Sequence, residues 1–386
     1  MKKKLNLIVK TILKKLKAFK KFRKDILPLL IGMLFILAPI VYFSIVRSDE
    51  ARAWWNDNWM YRKKVTISND GVELTDFQVK IDLGDTSSLV SAGKMKSDCS
   101  DIRILNKNGT EITDPYYVEK CNTSNTSLWI KFSTVPTTDF NLFVYYGNSS
   151  VTNNHASSAT TIFEFFDNFE DGDISDWTTY SDGDIHLDSN KSYGGNYSIR
   201  KDDNSDPHGA YKLLDSPIGL GHILEGWVYR PSSWNGGSSD RFALEDSSYN
   251  GYGPNINHST GYVNIEERDE GSGTELSQTS YNPPEDSWMK FKFELKSEGN
   301  LDIYFYNTSG TQLTSVTGVT DTTVSSFDRF VVHGGYEFYL DDLKIRKYAA
   351  TEPTSTVSSE EATPSPAAYW KFDEGSGDTA NNSGSG

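Results

Sequence analysis

The chain has 386 residues, with 38 Lys and Arg against 53 Asp and Glu, a formal net charge of −15 and two cysteines. The basic residues are unevenly spread: 13 of them fall in residues 1–53 beside 3 acids, which leaves 25 basic and 50 acidic residues in the remainder. So acidic a surface repels phosphate backbones and anionic lipid, which argues against nucleic acid as a partner, and the richness in Tyr, Trp, Phe, Asn, Ser, Thr and Gly favours β structure over helix.

Residues 1–25 form a basic leader, and residues 26–46 then carry no charge. At about 1.5 Å per residue that run reaches roughly 30 Å, the thickness of a hydrocarbon core. With the basic flank on the N-terminal side, the positive-inside rule keeps the leader cytoplasmic and sends everything after residue 46 across the membrane. The sequence therefore predicts a single-pass cell-membrane protein with its C-terminal part outside. Ala51-Arg52-Ala53 leaves a cleaved signal peptide open as the alternative.

From Trp54 onward there is no sustained helical period, only short alternating runs broken by Gly, Asn, Asp, Ser and Pro. Strands are predicted at residues 63–68, 77–83, 102–106, 116–120, 128–132 and 141–146, the spacing of a sandwich or barrel. Cys99 and Cys121 lie in this stretch. In an oxidising compartment, with no third competitor, they are expected to form a disulfide, two buried free thiols being the alternative.

Three runs in this unit, Trp54-Trp55-Asn56-Asp57-Asn58-Trp59, Ser100-Asp101-Ile102-Arg103-Ile104 and Val144-Tyr145-Tyr146-Gly147-Asn148, carry a likeness. Residues 54–150 resemble the family called domain of unknown function 2341, a β-sandwich module of large prokaryotic surface proteins. The resemblance implies location and modular context, with no assigned chemistry.

A polar interval at 147–159 ends the first unit, and a second, 160–348, carries further strands at 197–200, 223–229, 241–245, 261–266, 289–295, 301–306, 328–332 and 338–346. It opens Phe166-Asp167-Asn168-Phe169-Glu170-Asp171-Gly172 and closes Phe338-Tyr339-Leu340-Asp341-Asp342-Leu343-Lys344-Ile345. That bracket resembles the first and last strands of concanavalin-like or carbohydrate-binding-module jelly rolls. The expected fold is thus all-β, tandem β-sandwiches behind an N-terminal transmembrane helix. Residues 349–366, rich in Pro, Ser, Thr and Glu, are expected to form an extended tether. The tail 367–386, with Ala368-Tyr369-Trp370-Lys371-Phe372, is similar to the opening of a laminin-G-like domain and too short to close a sandwich, so the sequence reads as a fragment of a longer protein.

On a strand Asp341 shares a face with Leu343 and Ile345, which would turn a carboxylate toward the core, where it needs a cation or hydrogen bonds. In the resembling jelly rolls a structural Ca²⁺ ties first strand to last, so the resemblance implies Ca²⁺ held by Asp167, Glu170 and Asp341; hard oxygen ligands suit that ion. A solvated acidic strand end, capped by Lys344 or Arg346, is the alternative.

Trp234, Tyr249 and Tyr252 stand in polar loops and are candidates for a sugar platform, or else for loop anchors, whereas Trp177, Trp227 and Trp288 are expected in the core. The densest carboxylate run, residues 266–270, is expected to be a solvated turn. Six scattered histidines make no metal pattern, and no nucleophile elbow or phosphate loop is present. These features predict a non-catalytic surface protein that binds a glycan or other cell-surface polymer. A structural stalk or a polysaccharide hydrolase or lyase are the alternatives.

Overall fold

The structure, a computed structural model, describes residues 54–179, 185–201, 209–232, 239–258, 260–270, 272–334 and 337–364. The expected leader and membrane segment, Trp234 and the laminin-G-like tail lie outside them. Among the described residues no helix is long and apolar enough to cross a membrane.

All six strands predicted in the first unit form: β1 (Tyr61–Ser68), β2 (Leu74–Gly84), β3 (Arg103–Asn106), β4 (Tyr116–Glu119), β5 (Thr126–Val135) and β6 (Phe140–Tyr146), with one short helix, α1 (Ser87–Ser91). Their alternation sends Val65, Ile67, Val79, Ile81, Leu128, Ile130, Leu142 and Val144 into one core. Cys99 and Cys121 are joined in a disulfide across a separation of 22 residues. Loop-closure entropy values such a link at about 3 kcal/mol. Replacing both with Ser is therefore expected to lower the melting temperature of the first sandwich by roughly 12–20 °C. Calorimetry of the variant, and of the native chain with reductant, checks this.

After a single-turn helix, α2 (Ala159–Ile162), come β7 (Phe165–Asp167), β8 (Thr178–Thr179), β9 (Ile185–Asp188), β10 (Ser198–Lys201), β11 (Ala210–Gly219), β12 (His222–Tyr229), β13 (Ser239–Glu245) and β14 (Gly251–Asn257). The second unit continues with β15 (Tyr262–Asp269), β16 (Ser272–Ser280), β17 (Trp288–Leu295), β18 (Asn300–Tyr306), β19 (Gln312–Thr320), β20 (Ser326–His333) and β21 (Phe338–Lys347). One sheet runs β19-β18-β17-β12-β21-β10-β9, with β7 also paired to β21; the other runs β16-β15-β14-β13-β20-β11-β8. Between them lie Phe169, Phe242, Phe291, Phe293, Phe305 and Phe330, all fully buried. The first strand meets the last, Asp167 opposite Leu343 and Phe165 opposite Ile345, as the jelly-roll resemblance implied.

The expected tether is corrected by the structure. Residues Thr354–Ala362 form β22, antiparallel to β1 from Ser68↔Thr354 to Tyr61↔Ala362. Val357 packs on the first core, Glu361 pairs with Arg62 at 2.7 Å, and Glu360 accepts from the Tyr146 hydroxyl at 2.9 Å. An edge strand needs little apolar area, because its neighbour supplies the ladder, so composition alone misread it. The first sandwich, with sheets β22-β1-β6-β3 and β2-β5-β4, therefore closes only after the chain has made the jelly roll, which is inserted into it.

Candidate functional site

In the seven-stranded sheet, Phe242, Leu244, Tyr252, Ile256, Val263, Ile265, Phe330 and Val332 face the core. The two-residue period turns Arg241, Glu245, Asn255, Asn264, Glu266, Arg268 and His333 to the opposite face. Register arranges them in rows. Asn264 stands opposite Asn255, Asn255 opposite Arg241, and Arg241 opposite His333. One row on, Glu266 lies between Gly253 and Glu275; beyond that, Gly251 lies between Glu245 and Arg268. Gly253 leaves the middle without a side chain, and a Cβ there would stand 2.2 Å from the Phe242 carbonyl oxygen.

These groups form a buried network. Glu245 Oε1 contacts His333 Nε2 at 2.9 Å and Arg268 Nε at 3.4 Å, while Glu266 Oε2 lies 3.1 Å from Arg241 Nε and 3.8 Å from Arg268 Nη1. Asn255 Nδ2 donates to Glu266 Oε1 at 2.7 Å, and Asn264 Nδ2 to Glu275 Oε2 at 3.1 Å. Because a carboxylate can only accept, these bonds fix both amide orientations. The Oδ1 atoms of Asn255 and Asn264, and Oε2 of Glu245, then have no hydrogen-bond partner among the described residues. Asn255 and Asn264 are each 1% exposed and Glu245 0%. A buried acceptor left without a donor costs about 1–3 kcal/mol. Directly opposed residues have Cβ atoms about 5 Å apart, so the Asn255 and Asn264 side chains are neighbours on this face.

The sequence-predicted residues fall elsewhere. Asp167 accepts from Phe169 N, Trp177 Nε1 and Lys212 Nζ, each at 2.9 Å. Glu170 accepts from Asn196 N at 2.7 Å and Tyr197 N at 2.8 Å. Asp341 accepts from Tyr193 N at 2.7 Å, Gly194 N at 3.1 Å and Asp342 N at 2.7 Å; burial, then the neighbouring Asp342, push its carboxyl up to about 7. Among the described residues no three His, Cys, Asp or Glu side chains come together as metal ligands. Backbone pairing of β7 with β21 joins first strand to last.

The face assigned to Asp341 is also corrected. Glu225 pairs with Lys344 but Trp227 with Asp341, so one residue of β12 meets two of β21, a β-bulge at which Asp342 has φ 50°. The bulge resets the alternation. Phe338 and Leu340 face the core before it and Leu343 and Ile345 after it, with Asp341 on the other side. Gly226 completes the bulge, since a Cβ there would come 2.7 Å from Leu343 Cδ2.

Tyr252 is 0% exposed, its hydroxyl donating to Asp321 and accepting from Val324 N at 2.9 Å. It is a core anchor and offers no platform. Tyr249 stays at the surface, 39% exposed, with the Arg329 guanidinium 5.8 Å from its ring. Residues 266–269 are not a turn but the end of β15, where Glu266 and Arg268 build the network. Polar residues at 264, 266 and 268 alternating with Val263 and Ile265 were the available signal. Trp177 is in the core as expected, but Trp227 and Trp288 are half-buried on the outer face, sharing parity with Glu225 and Lys290.

With this geometry in place, comparison adds context. Residues 98–180 match the domain of unknown function DUF2341. The DUF2341 match runs from the disulfide loop through β6 into the opening of the jelly roll. An uncharacterized protein of Methanocaldococcus jannaschii, MJ1394, is 38% identical over 245 residues, which are 61% of this chain and 24% of that protein. The matched stretch thus spans about a quarter of the relative's length. Solved structures to which the chain is similar include the carbohydrate-binding module CBM66 from Bacillus subtilis, with 12% identity and TM-score 0.34 over 45% of this chain and 96% of that one. The cellulose-induced protein Cip1 has 13% identity and TM-score 0.37 over 47% of this chain and 96% of that one.

Proposed function

We propose that the chain is a non-catalytic glycan-binding protein of the cell surface, anchored through residues 26–46, that holds a neutral saccharide on the outer face of the seven-stranded sheet. The observation that carries this reading is the set of buried acceptors without donors among the described residues, Asn255 Oδ1, Asn264 Oδ1 and Glu245 Oε2, on one face. These atoms are buried in the free chain, so a saccharide must displace what covers this face before its hydroxyls donate to them and accept from Arg241 and Arg268 beside them. The Cys99–Cys121 disulfide supports an oxidising, extracytoplasmic setting.

Full-length chain in detergent, applied to an array of neutral polysaccharides, tests it. Asn255→Ala with Asn264→Ala is expected to weaken the bound glycan at least tenfold, about 1.4 kcal/mol, with melting temperature as the fold control. Silence of the native chain across the array would sink the reading. Release of new reducing ends from a bound polysaccharide would instead move Glu245 and Glu266, both joined to Arg268, into the roles of a hydrolase pair.

A further inference from the structure

The outer face of the eight-stranded sheet is turned toward the first sandwich. Because Leu224, Val228, Met289, Phe291 and Phe293 face the core, Glu225, Trp227, Lys290 and Lys292 point the other way, joined beyond the bulge by Lys344 and Arg346. At one end the sandwiches are tied together. Gln78 Nε2 donates to the Ile162 carbonyl at 2.8 Å, Lys131 pairs with Glu164 at 3.3 Å, and Lys344 with Glu119 at 2.5 Å. Lys80 and Asp82 of β2, Ser127 of β5 and Trp227 of β12 line a cleft of about 780 Å³.

Trp227 and Tyr193 line this cleft with ring centroids 3.5 Å apart and planes 15° from parallel. The Lys120 ammonium, from the first sandwich, sits 4.2 Å from the Tyr193 ring centre and 2.7 Å from Asp342. Five Lys or Arg and five Asp or Glu line the space, so it is neutral in a chain of net charge −15.

We propose that this cleft is a second saccharide site, in which a sugar ring lies against Trp227 and its hydroxyls reach the ionic groups of both walls. Its volume falls in the range of small-molecule sites, about 300–1,000 Å³. A half-buried Trp among charged neighbours presents apolar surface to water, which the C–H face of a sugar would cover. A neutral lining of alternating donors and acceptors matches a neutral polyhydroxyl ligand and disfavours polyanions. The ions are held before any ligand arrives, Glu225 by Lys290 at 2.8 Å and Arg346 at 3.2 Å, so little ordering remains to oppose binding. This site is separated from the Asn255–Asn264 face by the jelly-roll core and does not depend on it.

Hydroxyl-radical footprinting of the full-length chain, alone and with millimolar cello-, xylo-, manno- or maltohexaose, reads the site directly. At least threefold protection of Trp227 and Tyr193 by one of these sugars is expected. Trp227→Ala should weaken that sugar at least tenfold, read as the sugar concentration that protects Tyr193. Should Trp227→Ala misfold, Trp227→Phe, expected to bind with intermediate affinity, replaces it. Equal oxidation of Trp227 with and without every sugar overturns the cleft site, even if binding at the Asn255–Asn264 face is found.

Discussion

A chain stopped after Pro353 is expected to keep its jelly roll and lose its first sandwich. Every strand of the jelly roll precedes that point, and Glu352, which pairs with Lys292 and Arg346 at 2.9 Å each, is retained. The first sandwich, by contrast, loses β22. The hydrogen-bonding edge of β1 is bared from Tyr61 to Ser68, Val357 leaves the core, and Arg62, Lys94 and Tyr146 lose Glu361 and Glu360. At about 1 kcal/mol net for each of several ladder bonds, plus the burial of one Val, the loss is on the order of 5 kcal/mol or more. That is comparable to the entire stability of a small domain. Hydrogen exchange should show Tyr61–Ser68 unprotected while Met289, Phe291 and Phe293 keep their native protection. Native protection of β1 in the truncated chain would mean that β22 is an ornament of the edge and that the first unit folds on residues 58–158 alone.

Much of this architecture is legible in the sequence because it is written locally. Two-residue alternation and turn residues locate the strands, and two cysteines with no third competitor suffice for the bridge. What is not legible is set by pairing between distant segments. Nothing in Thr354–Ala362 distinguishes a polar edge strand from a tether until β1, some 290 residues earlier, is placed beside it. The face of Asp341 turns on a bulge opposite Gly226, and a one-residue shift of register moves every later side chain to the other side. The proposed glycan face is assembled from β13, β14, β15 and β20, so Asn255 and Asn264 become neighbours only through cross-strand register. Trp227 could have been placed better, since its parity with Glu225 marks the polar side of β12. Hydrophobicity alone assigned it to the core.

Lys344→Ala is expected to cost about 3–5 kcal/mol, the usual result of leaving a buried carboxylate without its cation. Lys344 is 6% exposed at the junction of the sandwiches, with Glu119 2.5 Å away and the Trp129 ring centre at 5.4 Å. Burial works against the charge on Glu119, but the Lys344 ammonium and hydrogen bonds from Lys344 and Trp129 outweigh it and hold the carboxyl down at about 2. Burial likewise opposes the charge on Glu225, and Lys290, Arg346 and Lys344 together hold its carboxyl well below the usual range. For carboxyls depressed in this way, the stabilising contribution is complete above the unfolded value near 4.5 and is lost as pH falls toward 2. For Glu119 that contribution is on the order of 3 kcal/mol. The native chain should therefore melt progressively lower between pH 4.5 and 2, whereas Lys344→Ala, already destabilised at pH 7, should lose less over the same window. Restoring neutrality with Lys344→Met and Glu119→Leu together should recover most of the stability at pH 7 and flatten the acid limb further, because no buried charge then lacks a partner. Parallel acid limbs for native and Lys344→Ala chains would show that the junction contributes nothing pH-dependent, and that the wall of the cleft is held by Gln78, Lys131 and the aromatic contacts around Phe163 alone.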